Sequence, residues 1–348
     1  MNVETEGVFD SSHFDLFLVD KFVKLAMRNA MSIMMDYVWV PGHLRTLNDF
    51  ILFFRGDFAT SILSLLSNDR QSEALNVLLL SLQSVTNGSL YTNKLTGEHL
   101  LDRIDLQMKT GLDKSNVQLS YKVDSPLNFL LNPESISNYR RISQILWKLK
   151  CCEYHLSDNW KKSRQQFSFD FDSRLSRLQN TLRHLILTTI HTLNEFVSTD
   201  VILVSGRKLE DSMKNVSDID ELLELHQKHI RNLMKSTLLT DEFIEIQNAF
   251  GLILDTANKF NDLEDEIESI YDNYIDEIQN TDKFEEESEV IIQRMKNDLS
   301  DAYFQIEGLK EEFQNRVNEL YELAAQGSNS LELQRLELRL LFCCENKL

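Results

Sequence analysis

The chain has 348 residues, enough for about two domains of ~150 residues and for a sizeable buried core. Its formal net charge of −19 disfavours binding to nucleic acid or to an anionic membrane surface, because both need an excess of Lys and Arg. No apolar run approaches the ~18 residues that span a bilayer. The acidic start, Met1 to Glu6, is unlike the basic start of a signal peptide. We therefore expect a soluble cytosolic or nuclear protein with no nucleic-acid or membrane partner.

Gly and Pro are scarce, at 10 and 3 residues, which favours long helices over many short strands. Apolar residues recur at three- and four-residue steps along most of the chain. The sequence predicts an all-α fold of several packed helical bundles in an elongated arrangement. A flexible N-terminus over residues 1–12 precedes this domain, which covers 13–348. A short strand or hairpin near residues 117–123 is the one expected exception, because polarity alternates there.

In chain order, the first predicted helix covers His13 to Asp36, and a second covers about His43 to Phe54. A third follows Gly56, and the apolar residues of the second and third form nearly one stripe: Leu44, Leu47, Ile51, Phe54, Phe58, Ile62 and Leu65. A further helix is predicted from Ser72 to Thr86. A short helical piece is predicted near Leu100 to Met108, within a polar stretch.

The most strongly marked helix runs from Pro133 to Trp160. Asn132 is its predicted N-cap, because its side-chain oxygen can accept a hydrogen bond from the first turn, and Pro133 suits the next position, where no donor is needed. One apolar stripe comprises Ile136, Tyr139, Ile142, Leu146, Leu149, Leu156 and Trp160, and a second face carries Ile145, Trp147 and Tyr154. A helix with two apolar faces is normally buried among other helices, so we predict that Trp147 lies in the core.

Four helical stretches come after it. One covers Leu175 to Ile202, one begins at Ser217 as N-cap, one is capped by Thr240, and one covers Leu299 to Ala325. Between the last two, Asp and Glu dominate an insert around residues 262–298, which we interpret as a solvated helix face or a mobile insert.

The sequence contains no recognisable catalytic motif: there is no P-loop, G-x-G-x-x-G, H-E-x-x-H or G-x-S-x-G. His226 and His229 are three residues apart and could share a metal ion in principle, but no third ligand is evident nearby. The four cysteines form two vicinal pairs without C-x-x-C spacing, as expected for reduced, packed thiols. We expect no enzymatic activity, no cofactor and no metal.

The sequences of several stretches resemble the C-terminal domain of the gamma-tubulin complex component family. Tyr121-x-Val123-Asp124-x-Pro126 is followed by Tyr139-x-x-Ile142-x-x-x-Leu146-Trp147-x-x-Lys150-x-x-Glu153-x-x-Leu156. The stretch from His43 to Phe58 is similar to a family segment that ends in Gly-Asp-Phe. Trp147 and the acidic insert are most similar to the component 3 branch. The end, Arg339-Leu340-Leu341-Phe342, departs from the family pattern, which has an acidic residue at the position of Leu341.

This resemblance implies a non-catalytic subunit that binds gamma-tubulin and helps to build the template for microtubule nucleation. It implies a place in the cytoplasm and cytoskeleton, at a microtubule-organising centre such as a centrosome or spindle pole body. Other gamma-tubulin complex components are implied partners, contacted mainly through an N-terminal half that this sequence lacks. We therefore expect a fragment, a truncated isoform or a shortened homologue. The rival interpretation is a helical rod of a scaffold or tethering complex, which would share the periodicity but not these motifs.

We hypothesise that gamma-tubulin binds at the bend after Phe54, because a corner with both charge signs and exposed Arg suits a protein interface. The candidate residues are Arg45, Asn48, Arg55, Gly56 and Asp57. The alternative is that Gly56 only permits close helix packing and that Asp57 only caps the next helix. Arg55-Gly56-Asp57 also spells an integrin-binding tripeptide, but that interpretation requires an extracellular protein.

Overall fold

The computed structural model describes residues 11–67, 90–108, 117–166, 173–280, 285–327 and 330–345. The predicted helix from Ser72 to Thr86 and most of the N-terminus 1–12 lie outside these ranges. Helices dominate the described residues, so the all-α prediction is confirmed. The α-helices are α1 (Ser11–Ser32), α2 (Val40–Thr46), α3 (Gly56–Ser67), α4 (Pro133–Gln166), α5 (Ser173–Glu195), α6 (Val204–Met213), α7 (Ile219–Ser236), α8 (Ile244–Asn280), α9 (Glu285–Gln326) and α10 (Leu331–Glu345).

Short π-helical segments extend or join several of these helices; they cover Ile33–Tyr37, Leu47–Ile51 and Phe196–Leu203. A π-turn holds more residues than an α-turn, so the side chains beyond it are rotated away from the α-helical pattern. The predicted stripe through Phe54 is wrong for this reason. Phe54 is 45% exposed, whereas Phe53 adopts φ +51° and is 4% exposed in its place.

A two-stranded antiparallel sheet is formed by β1 (Ile104–Met108) and β2 (Val117–Tyr121). This confirms the predicted strand. It corrects the helical piece near Leu100 to Met108, which is a 3₁₀ turn over Leu100–Arg103 followed by β1. Every second residue of β2 is buried, and Tyr121 pairs with the buried Ile104. Pairing of β1 with β2 therefore places the alternating apolar residues on one buried face. In a helix, residues at a spacing of two would point in different directions.

The long helix α4 lies at the centre and packs against α3, α5, α7 and α8. The Asn132 Oδ1 atom accepts a hydrogen bond from the backbone N–H of Ser135 at 2.7 Å, which confirms the predicted N-cap. Trp147 is 1% exposed, as predicted. Trp160 is 44% exposed, so its place on the buried stripe is wrong. The last turns of α4 extend beyond the core, because Lys161 and Lys162 beside it are exposed too.

Two helix starts differ from the prediction. The N-cap of α7 is Asp218, not Ser217: its Oδ1 atom accepts from the backbone N–H of Glu221 at 2.8 Å. The Glu221 carboxylate accepts from the backbone N–H of Ser217 at 3.0 Å. In a standard capping box it would accept from the N–H of the N-cap itself, so this bond is shifted by one residue. Thr240 makes no side-chain cap, and a 3₁₀ turn over Asp241–Phe243 leads into α8.

Helices α8 and α9, of 37 and 42 residues, form a long antiparallel hairpin. Their seam buries apolar side chains from both helices: Phe260, Leu263, Ile267 and Tyr271, with Met295, Leu299, Ile306 and Phe313. Outside residues 281–284, which are not described, the acidic insert belongs to these two helices, and acids such as Asp262 and Glu266 face outward. Most of the described acids of the insert therefore form a solvated helix face, but Glu264 is buried and pairs with Arg183.

Buried apolar side chains from most of these elements form one connected core. Within the described ranges, no helix combines the length and the apolar content needed to cross a membrane.

Candidate functional site

The bend between the π-helical segment Leu47–Ile51 and α3 is held by its backbone. The N–H groups of Phe54 and Arg55 donate to the carbonyl oxygens of Asn48 and Asp49 at 3.2 and 3.0 Å. Phe53 adopts the left-handed region at φ +51°, which is uncommon for a bulky residue and costs conformational energy. Its ring lies 5.4 Å from that of the buried Trp147, measured between centroids. The bend is thus anchored to the central helix.

Arg45 and Asn48 line a cleft of about 260 Å³ whose second wall is the end of the π-helical segment Phe196–Leu203 and the start of α6. We call it the α2–α6 cleft; its lining residues are Arg45, Asn48, Asp49, Phe54, Ile202, Leu203, Gly206, Arg207 and Glu210. Gly206 permits the close approach of the walls, because a Cβ atom there would lie 3.2 Å from the Asn48 amide nitrogen. Both walls contain π-helical backbone, a feature frequent at functional sites.

The mouth of the α2–α6 cleft carries both charge signs. The Arg45 guanidinium lies 4.0 Å from the Glu210 carboxylate, and both side chains are about half exposed, so this ion pair is weak. Asp49, another lining residue, accepts a hydrogen bond at its Oδ2 atom from the Tyr91 hydroxyl at 2.6 Å. Burial raises the pKa of the Asp49 carboxyl, while the Tyr91 hydrogen bond opposes that rise. Burial also raises the pKa of Tyr91, to about 12, so the phenol remains a donor.

Arg55 and Asp57 form a two-pronged ion pair beside the cleft, with Nη2 to Oδ2 at 2.9 Å and Nε to Oδ1 at 3.3 Å. The hydrogen bond to Asp57 raises the pKa of the Arg55 guanidinium. Asp57 also accepts from the backbone N–H of Phe58 at 3.0 Å, so it satisfies a donor in the first turn of α3. The same N–H also donates to the Arg55 carbonyl at 3.2 Å, so Asp57 is not its sole acceptor, and the Arg55 guanidinium is already partly engaged.

Among the described residues, no atom of another element lies within 4 Å of where a Cβ of Gly56 would stand, so close helix packing there has no support. The five candidate residues therefore divide into two groups. Arg45 and Asn48 line the cleft, whereas Arg55, Gly56 and Asp57 form the adjacent bend and do not line it.

Sequence reasoning missed the second wall of the cleft, which includes Gly206, Arg207 and Glu210. Gly206 carried a signal, since an isolated glycine in a helical pattern can mark the close approach of another backbone or side chain. Phe54 was placed on the wrong face, and its exposed ring adds an apolar anchor to a charged rim. A cleft of this composition suits contact with another protein.

The histidine pair is a core feature. The rings of His226 and His229 are 6.5 Å apart, His226 contacts the Tyr139 hydroxyl at 3.4 Å, and His229 contacts the Ser205 hydroxyl at 3.1 Å. Burial lowers their pKa values to about 3 and about 4. Among the residues that the structure describes, no group of three or more His, Cys, Asp or Glu side chains could hold a metal ion. Their burial and their contacts with Tyr139 and Ser205 place both histidines in the core.

Comparisons with known proteins indicate the family. The family model for the gamma tubulin complex component C-terminal region matches residues 41–343. The gamma-tubulin complex component 3 homolog of Xenopus laevis is 23% identical over 314 residues, covering 86% of this chain and 32% of the relative. Human gamma-tubulin complex component 3 is 22% identical, covering 81% and 31%. Spindle pole body component alp6 of Schizosaccharomyces pombe is 26% identical, covering 64% and 28%.

The chain thus spans about a third of the length of these relatives. The family match contains every residue that lines the α2–α6 cleft and every residue of the adjacent bend. Because the match covers most of the sequence, this chain belongs to the gamma-tubulin complex component family, to which it is related through the family's C-terminal region.

Proposed function

We propose that this chain binds gamma-tubulin and is a non-catalytic subunit of gamma-tubulin complexes, contributing to the template for microtubule nucleation. The observation that carries this proposal is the family match over residues 41–343. The names of the relatives, gamma-tubulin complex and spindle pole body components, support a place at microtubule-organising centres in the cytoskeleton. Other complex components are the further partners that the proposal implies.

We propose that the α2–α6 cleft and the adjacent bend form part of the gamma-tubulin interface. A stable interface needs about 800 Å² per partner, with a few central anchors surrounded by a polar rim. Phe54 offers an exposed aromatic ring, and Arg45 is only weakly paired, so its guanidinium can be recruited by a partner carboxylate. Asp57 holds Arg55 in one orientation, which lowers the entropy lost when a partner binds.

The test is co-purification of gamma-tubulin with the wild-type chain and with a double charge reversal, Arg45→Glu with Arg55→Glu. A matched control reverses two exposed lysines on other helices, Lys228→Glu with Lys296→Glu, and changes the net charge by the same amount. We expect binding to be lost in the first variant and kept in the control, with thermal melts unchanged in both.

Two outcomes would contradict these proposals at different levels. Failure of the wild-type chain to bind gamma-tubulin would refute the proposed function. Binding by the wild type that survives the Arg45 and Arg55 reversal would refute only the interface. A collapsed melt in that variant is resolved by Phe54→Ser, which removes an exposed ring and leaves the core intact. The same experiment addresses the rival tethering rod, for which no gamma-tubulin would be retained.

A further inference from the structure

A second, larger cavity lies between α5, α9 and α10 and shares no residue with the α2–α6 cleft. Its volume is about 660 Å³, within the range of about 300–1,000 Å³ that is usual for small-molecule sites. The residues that shape the argument are Asn180, His184 and Leu185 from α5, Lys310 and Gln314 from α9, and Cys343 from α10. We call it the α5–α9 cavity.

A partly buried polar network supports one wall of this cavity, because the exposed Asn180 is joined to two buried charged residues. Arg183 and Glu264 form an ion pair whose side chains are only 7% and 4% exposed. Arg183 also donates from Nη1 to the Asn180 Oδ1 atom at 2.6 Å. Because a guanidinium can only donate, the oxygen of the Asn180 amide must face Arg183. Its NH₂ group is therefore the part of the amide left for a ligand, held in place by a rigid support.

Other donors converge on the same space. Lys310 and Gln314 lie one turn apart on α9, and His184 lies one turn beyond Asn180 on α5. Within the part of the chain that the structure describes, the side chains of these three residues have neither a hydrogen bond nor an ion pair. The lining hydroxyls are different: Thr188, for example, already donates to the His184 carbonyl at 2.8 Å. Amide, imidazole and ammonium groups are thus the donors available in the cavity.

The charge of the cavity lining is opposite in sign to the net charge of the protein. The chain carries 55 acidic and 36 basic residues, yet no Asp or Glu is among the described residues that line the α5–α9 cavity, where Lys310 is the charged one. One ammonium group and several neutral donors match a ligand with a single anionic group. Leu185 and Cys343 supply an apolar surface for the rest of such a ligand.

We propose that the α5–α9 cavity binds a small organic anion. One carboxylate or phosphate group is held by Lys310, the imidazole of His184 and the amide NH₂ groups of Asn180 and Gln314. An apolar body of the ligand rests on Leu185 and Cys343. This proposal does not depend on gamma-tubulin binding, so its test is separate from the test of the proposed function.

The test uses three probes with one ring and different head groups: phenyl phosphate, benzoate and neutral benzamide. Binding to the wild-type chain is measured by ligand-observed NMR titration. We expect saturable binding of at least one anion and at least tenfold weaker binding of benzamide, because hydrogen bonds to a charged group contribute more than neutral ones. The ratio of phenyl phosphate to benzoate affinity tells which anionic group the cavity prefers.

The variant Lys310→Met removes the charge and keeps most of the side-chain volume. We expect it to weaken anion binding about tenfold or more, whereas Lys296→Met, an exposed position on the same helix, changes nothing. If Lys310→Met fails to fold, Gln314→Leu takes its place, with a severalfold loss expected. Absence of saturable anion binding to the wild type, equal binding of benzamide, or unchanged binding in the folded cavity variant would each overturn the proposal.

Discussion

Replacement of Trp147 by Ala tests the packing that joins the central helix to the bend beside the cleft. The side chain is 1% exposed, and its ring contacts that of Phe53 with centroids 5.4 Å apart. Removal of a fully buried large aromatic side chain costs roughly 3–5 kcal/mol, because apolar burial is lost and a cavity remains. The Phe53 contact accounts for about 0.5–1.5 kcal/mol of this. Trp147→Phe keeps a ring and should cost less, about 1–3 kcal/mol.

The measurement is urea denaturation followed by far-UV circular dichroism, which reports helix loss directly. Gamma-tubulin co-purification of the folded variants adds a second readout, because Phe53 in its left-handed conformation loses its support when the indole is gone. We expect Trp147→Ala to lower both stability and binding. An unchanged denaturation midpoint would refute the core assignment. Equal losses for Trp147→Ala and Trp147→Phe would show that cavity volume is not the cause.

Two further predictions concern pH and glycine. Because burial lowers the pKa values of His226 and His229 to about 3 and about 4, the unfolded chain takes up protons below pH ~6.5 that the folded chain excludes. The free energy of unfolding should therefore fall by about 1.4 kcal/mol per histidine for each unit by which the pH is lowered between about 6.5 and 4. In a variant with both histidines changed to Gln, the melting temperature should decrease less over the same pH range. At Gly42, an added Cβ would lie 2.4 Å from the Trp39 ring, so Gly42→Ala should destabilise by about 1–3 kcal/mol. At Gly56 an added Cβ would meet none of the other described elements, so Gly56→Ala should leave the melt unchanged or raise it. Equal melts for the two alanine variants would contradict the packing described for Gly42.

The sequence predicted those features that depend on local patterns. The N-cap at Asn132, the burial of Trp147 and the strand over Val117–Tyr121 can each be inferred from a few neighbouring residues. Errors arose where the helical period changes. The π-helical segment Leu47–Ile51 rotates the residues after it, and so exposes Phe54 although its spacing from the residues before it fits an α-helical stripe.

The candidate site was half predictable. Arg45 and Asn48 stood out by their place before a glycine-containing bend, and both line the cleft. Their opposite wall comes from Ile202 to Glu210, and no local pattern reveals which distant helix will pack against a given face. The strand partner β1 was missed for a related reason, since Leu100 to Met108 is compatible with either period when read alone.

The last helix, α10, carries a constraint for anyone who shortens or tags this protein. Arg339 donates to both carboxylate oxygens of Asp200 at 3.0 Å and to Glu195 at 2.7 Å. Asp200 lies in the π-helical segment whose end, Ile202 and Leu203, lines the α2–α6 cleft. A truncation after Gly327 would remove the Arg339 guanidinium that bridges Glu195 and Asp200, and with it a support of that wall. If the proposed gamma-tubulin interface includes this cleft, deletion mapping from the C-terminus would assign binding to α10 even though no described residue of that helix lines the cleft.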